Sequence, residues 1–203
     1  MLKAWLKDEG LWLFAGQATT SFISHVFLDG GKASVPLDRM PDFFRVYEKS
    51  LSKGDVPCAV ERLSRDGVFK MFMDVDLKDF EGDLKSTAEQ ILEGLPGGLD
   101  VGEIIVCKKP TASANASSTC KEGLHLIFED VFVTAQEALK YLATTVANLN
   151  ILFPDAQNWV SSLDGSVYKN SGLRMLYSAK GAKDPTFYVP WFVSRSSGRS
   201  FAP

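Results

Sequence analysis

The chain has 203 residues, 45% of them hydrophobic and 23% charged, which is the balance of one or two folded modules and excludes a disordered chain or a large multidomain enzyme. A net charge of −3 argues against a purely electrostatic nucleic-acid binder, but Gly165 to Pro203 carries six basic residues against the single acid Asp184, a local +5 that leaves −8 on the rest. No run of 18 apolar residues and no signal-peptide order occurs, and Cys58, Cys107 and Cys120 form no Cys-x-x-Cys or Cys/His cluster, so membrane spanning and secretion are disfavoured and a reducing, intracellular setting is expected.

In chain order, FISHVFLDGGKASVPL alternates apolar and polar residues around Gly30-Gly31 and predicts a hairpin. PDFFRVYEKSLSK opens with Pro41 and spaces Phe43, Phe44, Tyr47 and Leu51 as a helix does. A strand is predicted over Val68 to Leu77, then a helix over Ser86 to Leu95 with Ala88, Ile91, Leu92 and Leu95 on one face, then a buried strand in GEIIVCKK. Residues 110 to 119, PTASANASST, have linker composition. Ala135 to Asn148 predicts a long helix, Ser166 to Tyr177 a turn feeding a strand, and Phe187 to Val193 a last strand. Strands alternating with helices point to an α/β or α+β fold with a mixed sheet.

Three segments carry candidate chemistry. In KMFMDVDLKD, strand alternation puts Asp74 and Asp76 on one face about 7 Å apart, opposite Met71, Met73, Val75 and Leu77. Two carboxylates at the end of so apolar a strand cost desolvation unless a hard divalent cation, a donor or water satisfies them; an ordinary exposed strand end has the same pattern. In CKEGLHLIFEDV, Lys121, Gly123 and His125 share a face: a cation, a closely approachable backbone and an imidazole, a set suited to phosphate oxygens. A lone histidine in an apolar strand is nevertheless more often a core residue. In SSLDGSVYKNSGLRMLYSAKG, Asp164-Gly165 is first of all a turn signal. Arg174, Leu176, Ser178 and Lys180 share strand parity, but six extended residues span about 20 Å, so the chain must bend near Ser178 or Gly181 if both cations are to meet one triphosphate.

Taken together and in this order, FMDVD, GLHLIF with Lys121 four residues ahead of the histidine, and LDGSVYKNSGLRMLYSAK resemble the three motifs of the archaeo-eukaryotic primase superfamily. The nearest branch is that of the primase-polymerases of eukaryotes and large DNA viruses. One departure is Gly123, which stands where many members have serine. The resemblance implies an α+β fold in which residues 1 to 203 form one catalytic core of two interleaved modules: an N-terminal α/β module and an RRM-like sheet, with the active cleft between them. It implies a DNA-directed primase and polymerase, a nucleotidyltransferase acting in DNA replication. Asp74, Asp76 and Asp164 would be the catalytic metal ligands for Mg²⁺ or Mn²⁺, and Lys121, Gly123, His125, Arg174, Ser178 and Lys180 the nucleotide-binding residues. The implied partners are a single-stranded DNA template, NTP or dNTP substrates and a helicase domain or protein, with no membrane, at replicating DNA inside the cell. Trp191, Phe192 and Phe201 interleaved with Arg195 and Arg199 offer a single-strand platform, although aromatics in the core and arginines on the surface account for them equally. A metal-dependent nuclease also uses Asp-x-Asp but does not call for Lys-x-Gly-x-His, and a non-catalytic single-stranded nucleic-acid binding module would tolerate loss of Asp74.

Overall fold

The computed structural model describes residues 1–14, 22–63, 67–97, 101–110, 122–169, 171–181 and 183–195. Lys121, the segment 111–119, Cys120, Arg199 and Phe201 lie outside the described residues. The helices are Leu2–Asp8 (α1), Met40–Ser52 (α2), Leu84–Glu93 (α3), Ala135–Leu152 (α4) and Trp159–Ser162 (α5). The strands are Trp12–Leu13 (β1), His25–Phe27 (β2), Lys32–Ala33 (β3), Ala59–Glu61 (β4), Val68–Leu77 (β5), Glu103–Lys108 (β6), Glu122–Thr134 (β7), Leu173–Arg174 (β8) and Val189–Arg195 (β9). The fold class is α+β. No helix among the described residues is long and apolar enough to cross a membrane. The chain divides into two compact units, Met1–Asp66 with Asn170–Tyr188, and Gly67–Lys169 with Val189–Pro203.

The first unit is built on a five-stranded sheet in the order β1-β3-β2-β4-β8, antiparallel throughout. The expected hairpin is β2 and β3, turned by Gly30 and Gly31, each at φ +104°. Gly31 is required twice over: its backbone is one that L side chains rarely adopt, and a Cβ there would lie 1.9 Å from the Trp12 ring. Helix α2 starts at Met40, with proline in its first turn where a missing N–H costs nothing. It buries Phe43, Tyr47 and Ser50. Phe44, expected on the same face, is exposed. Phe43 and Tyr47 join Leu2, Leu6, Phe27, Ala33, Val35 and Ala59 in the core of this unit.

The second unit is built on a four-stranded sheet in the order β5-β7-β6-β9. A mixed sheet was expected, and the pairings are instead all antiparallel. The crossover from β5 through α3 does bring β6 back parallel to β5, but it leaves a gap of one strand, and β7 fills it running the other way. The β5-α3-β6-β7-α4 part matches the RRM-like sheet that the resemblance implies. The last strand departs from it by joining the β6 edge, so β5 stays at the outside of the sheet. Met71, Met73, Val75 and Leu77 of β5 and Leu124, Leu126 and Phe128 of β7 are buried at 1% exposure or less; α4 packs on β5 and β7, and α3 on α4.

Local chemistry sets the helix ends. Asp83 caps α3, its carboxylate accepting the Ser86 N–H at 2.8 Å, so the helix begins two residues before Ser86. Thr134 and Glu137 form a reciprocal capping box at the start of α4. That helix runs to Leu152, four residues beyond Asn148, whose amide donates to the Gly94 carbonyl at 3.0 Å.

Candidate functional site

Strand β5 spans Val68–Leu77 as its alternation predicts, and Asp74 and Asp76 leave it on the face opposite Met73, Val75 and Leu77. The register with β7 sets Asp74 directly across from His125 and Asp76 across from Gly123. The first two motifs, 49 residues apart from Asp74 to Gly123 along the chain, are therefore cross-strand neighbours. That register depends on an irregularity between Lys70 and Phe72, which resets the pairing of everything after it.

The third motif reaches β5 from its open side. Leu163 forms an antiparallel bridge with Val75, and the Asp164 N–H donates to the Asp74 carbonyl at 2.9 Å. Gly165 then passes close to α4, where a Cβ would meet Leu139 Cδ2 at 3.1 Å and Leu142 Cδ2 at 3.2 Å. The Asp-Gly pair is thus a turn signal and a site signal at once. As a result, one ligand atom from each of Asp74, Asp76 and Asp164 lies within 4.8 Å of the others.

Asp76 is exposed, while Asp74 and Asp164 are half-buried. Asp164 uses its two oxygens on Ser166, accepting the backbone N–H and the hydroxyl at 2.8 Å each. Asp74 Oδ1 is buried and accepts no hydrogen bond from a described residue. The Nε2 of His125, itself 2% exposed, stands 3.4 Å from it, beyond the usual hydrogen-bond range. A buried anionic oxygen left in this state beside two further carboxylates is what a bound cation corrects. The spacing suits one as well, since an oxygen of each acid already lies within 4.8 Å of the others and all three are hard oxygen donors.

Tyr168 lies beneath this cluster and escaped the sequence reading as a site residue. Its ring packs on Phe69 and Phe72 with centroids 6.0 Å and 5.3 Å away, and its hydroxyl donates to the Phe72 carbonyl. Burial, then the negative charges of Asp74 and Asp164, push its phenol above the usual tyrosine range. Cys107 of β6 stands across from His125 in register, buried with its thiol pushed up to about 11 by desolvation.

Arg174, Ser178 and Lys180 belong to the first unit. Arg174 of β8 donates from Nη1 to the Thr186 carbonyl at 2.8 Å, and its guanidinium lies 4.8 Å over the Tyr188 ring. The chain does bend between Arg174 and Lys180, at Tyr177, which adopts φ +62°. Asp184 lies in the same loop as Thr186, whose carbonyl Arg174 holds. Its carboxyl is held below the usual range first by the Thr186 hydroxyl, then by the Thr186 N–H and the charges of Lys180 and Arg174. The signal for this acid was an Asp-x-Thr turn, Asp184 accepting from the Thr186 N–H and hydroxyl at 3.2 and 2.5 Å.

Ser178 corrects an expectation. It is fully buried, accepts the Ala59 N–H at 3.0 Å and lies 2.8 Å from the Tyr47 hydroxyl. The one proton of Tyr47 goes to the Leu176 carbonyl at 2.7 Å, so Ser178 must donate to Tyr47, and its hydroxyl is committed to the fold rather than to a nucleotide. Of the aromatic platform, Trp191 lies 4.2 Å below the Lys108 ammonium and Arg195 pairs with Glu103 at 2.7 Å.

Over residues 24–193 the chain matches the family described as the C962R protein N-terminal AEP domain, an archaeo-eukaryotic primase domain. No curated protein matches it.

Proposed function

We propose, from the premise that this chain belongs to the C962R protein N-terminal AEP domain family and hence to a primase-type class of nucleotidyltransferases, that it is a DNA-directed primase-polymerase extending a strand on a single-stranded template. The observation that carries this reading is the convergence of Asp74, Asp76 and Asp164 from two motifs 88 residues apart, Asp76 to Asp164. These three carboxylates would hold Mg²⁺ or Mn²⁺, which supplies activation of a 3′-hydroxyl and charge neutralisation of the triphosphate and departing pyrophosphate.

The chain's own residues position and compensate charge, which is most of what phosphoryl transfer asks of a protein. His125 stands across the strand pair from Asp74, its Nε2 3.4 Å from Oδ1. Gly123, buried opposite Asp76, puts no side chain beside that carboxylate, and Lys121, His125, Arg174 and Lys180 are assigned to the triphosphate. The assignment of the last two rests on their place in the third motif, and two cations there suit the charge of a phosphate oxygen. The proposed partners are NTP or dNTP, single-stranded DNA and a helicase domain or protein, at replicating DNA.

The test is extension of a labelled primer on a single-stranded template, repeated without primer. Metal-dependent, template-matched products from the wild type and none from Asp74→Ala support the reading. Degradation of the strand instead of growth identifies a nuclease, and equal DNA binding by both proteins with no product identifies a non-catalytic binding module.

A further inference from the structure

Strand β5 is the outer strand of its sheet, so every second carbonyl along it points away from β7 and needs a partner from outside the sheet. Two consecutive outward carbonyls are those of Phe72 and Asp74, and both are answered by one short segment. Asp164 N–H takes the Asp74 carbonyl, and the Tyr168 hydroxyl takes the Phe72 carbonyl. The segment between them, the 3₁₀ turn Gly165–Lys169, is stiff and short. It is therefore pinned at both ends to the strand that carries Asp74 and Asp76. Tyr168 is 3% exposed and its ring is held by Phe69 and Phe72, so the hydroxyl has little freedom to find another acceptor.

We infer that Tyr168 is a positioning residue for metal binding: its hydroxyl clamps the third-motif turn to β5 and thereby holds the Asp164 carboxylate at chelating distance from Asp74 and Asp76. This inference rests on the proposed two-motif metal centre and adds a residue to it that touches neither metal nor substrate. Without the Phe72 bond, the segment keeps the Leu163–Val75 bridge and the Asp164 anchor at Asp74 but loses the attachment that holds the far end of the turn to β5. The three carboxylates then pay in ordering entropy what the clamp now supplies in advance.

The test uses Tyr168→Phe, which keeps the ring and its packing and removes only the hydroxyl. Val167→Ala serves as comparator, because Val167 is buried in the same turn at 4% exposure and its truncation loosens packing without removing the bond. Mn²⁺ affinity is read directly from the paramagnetic resonance signal of free ion, alongside thermal melting of the metal-free proteins and primer extension as a function of Mn²⁺. The expected result for Tyr168→Phe is an Mn²⁺ Kd raised roughly ten-fold, extension recovered by excess Mn²⁺, and a melt closer to wild type than that of Val167→Ala. Val167→Ala should bind Mn²⁺ as the wild type does. Wild-type affinity in Tyr168→Phe, or an equal loss in both variants, overturns the inference while leaving the metal centre intact. A wild-type protein that binds no Mn²⁺ overturns the metal centre and the inference together.

Discussion

Removing one carboxylate from the acidic cluster should make the metal-free protein more stable while abolishing its chemistry. Asp76→Asn is the clearest perturbation, because Asp76 is the exposed member and the change keeps its size. With ligand atoms of the three acids within 4.8 Å of each other, each pair of charges repels by about 0.9 kcal/mol in bulk water and about 3.5 kcal/mol at an effective dielectric constant of 20. Asp76 takes part in two such pairs and is solvated, so the lower figure applies and the relief is about 1 to 2 kcal/mol. For a unit of this size that corresponds to a melting temperature raised by about 3 to 8 °C in chelator. Millimolar Mg²⁺ or Mn²⁺ should reverse the order, since binding stabilises only the protein whose site is whole, by about 2.7 kcal/mol at a hundred-fold excess over Kd. Differential scanning calorimetry with chelator and with metal reads both effects. A variant that melts below wild type in chelator, or a wild type that gains nothing from metal, would mean that these acids are not held together for a cation.

Three further outcomes follow from the same geometry. His125→Asn, which keeps a donor near Asp74, should retain more incorporation per folded molecule than His125→Ala; equal activity in both, with early melting, makes His125 a space-filling core residue. Arg174→Ala and Lys180→Ala should each weaken nucleotide binding by about 1 to 3 kcal/mol, the range for charge-assisted hydrogen bonds, with single-stranded DNA affinity changing less in the same titrations. In the first unit, His25 is buried against Phe43 with its pKa lowered by desolvation from 6.5 to about 4. Between those values the unfolded chain binds a proton that the folded one excludes. Stability should therefore fall by up to about 3 kcal/mol as pH drops from 6.5 to 4, and denaturant melts of His25→Leu should lack that part of the pH dependence.

What could be read from the sequence, and what could not, follows the range of the forces involved. Side-chain alternation along one strand is local, so β5 and the common face of Asp74 and Asp76 were legible to the residue. The starts of α2, α3 and α4 were legible to within two residues because caps such as Asp83 and Thr134 act within one turn, whereas the short α1 and α5 were not foreseen. Which residue faces which across two strands is not local. The Asp74 to His125 register depends on the irregularity near Lys70, and the antiparallel sheet on β7 filling the gap left by the β5-α3-β6 crossover. Ser178 was misread for a related reason. Strand parity grouped it with Arg174 and Lys180, but the strand ends at Arg174 and the chain turns at Tyr177, which sends the Ser178 hydroxyl to Tyr47 and Ala59. Tyr168 belonged to a recognised motif, yet only the path of the turn along the outer edge of β5 gives its hydroxyl a role.

On the proposed function, Asp74, Asp76 and Asp164 form one metal centre that drives template-directed strand growth. It is tested most directly by single-nucleotide incorporation on a primed single-stranded template, with Mn²⁺ titrated against wild type and Asp164→Ala in parallel, because Asp164 is the ligand that only the fold brings to the other two. The wild type should incorporate the matched nucleotide in a metal-dependent way and Asp164→Ala should not at any Mn²⁺ concentration, with both proteins folded. Wild-type incorporation by Asp164→Ala would contradict the proposed function.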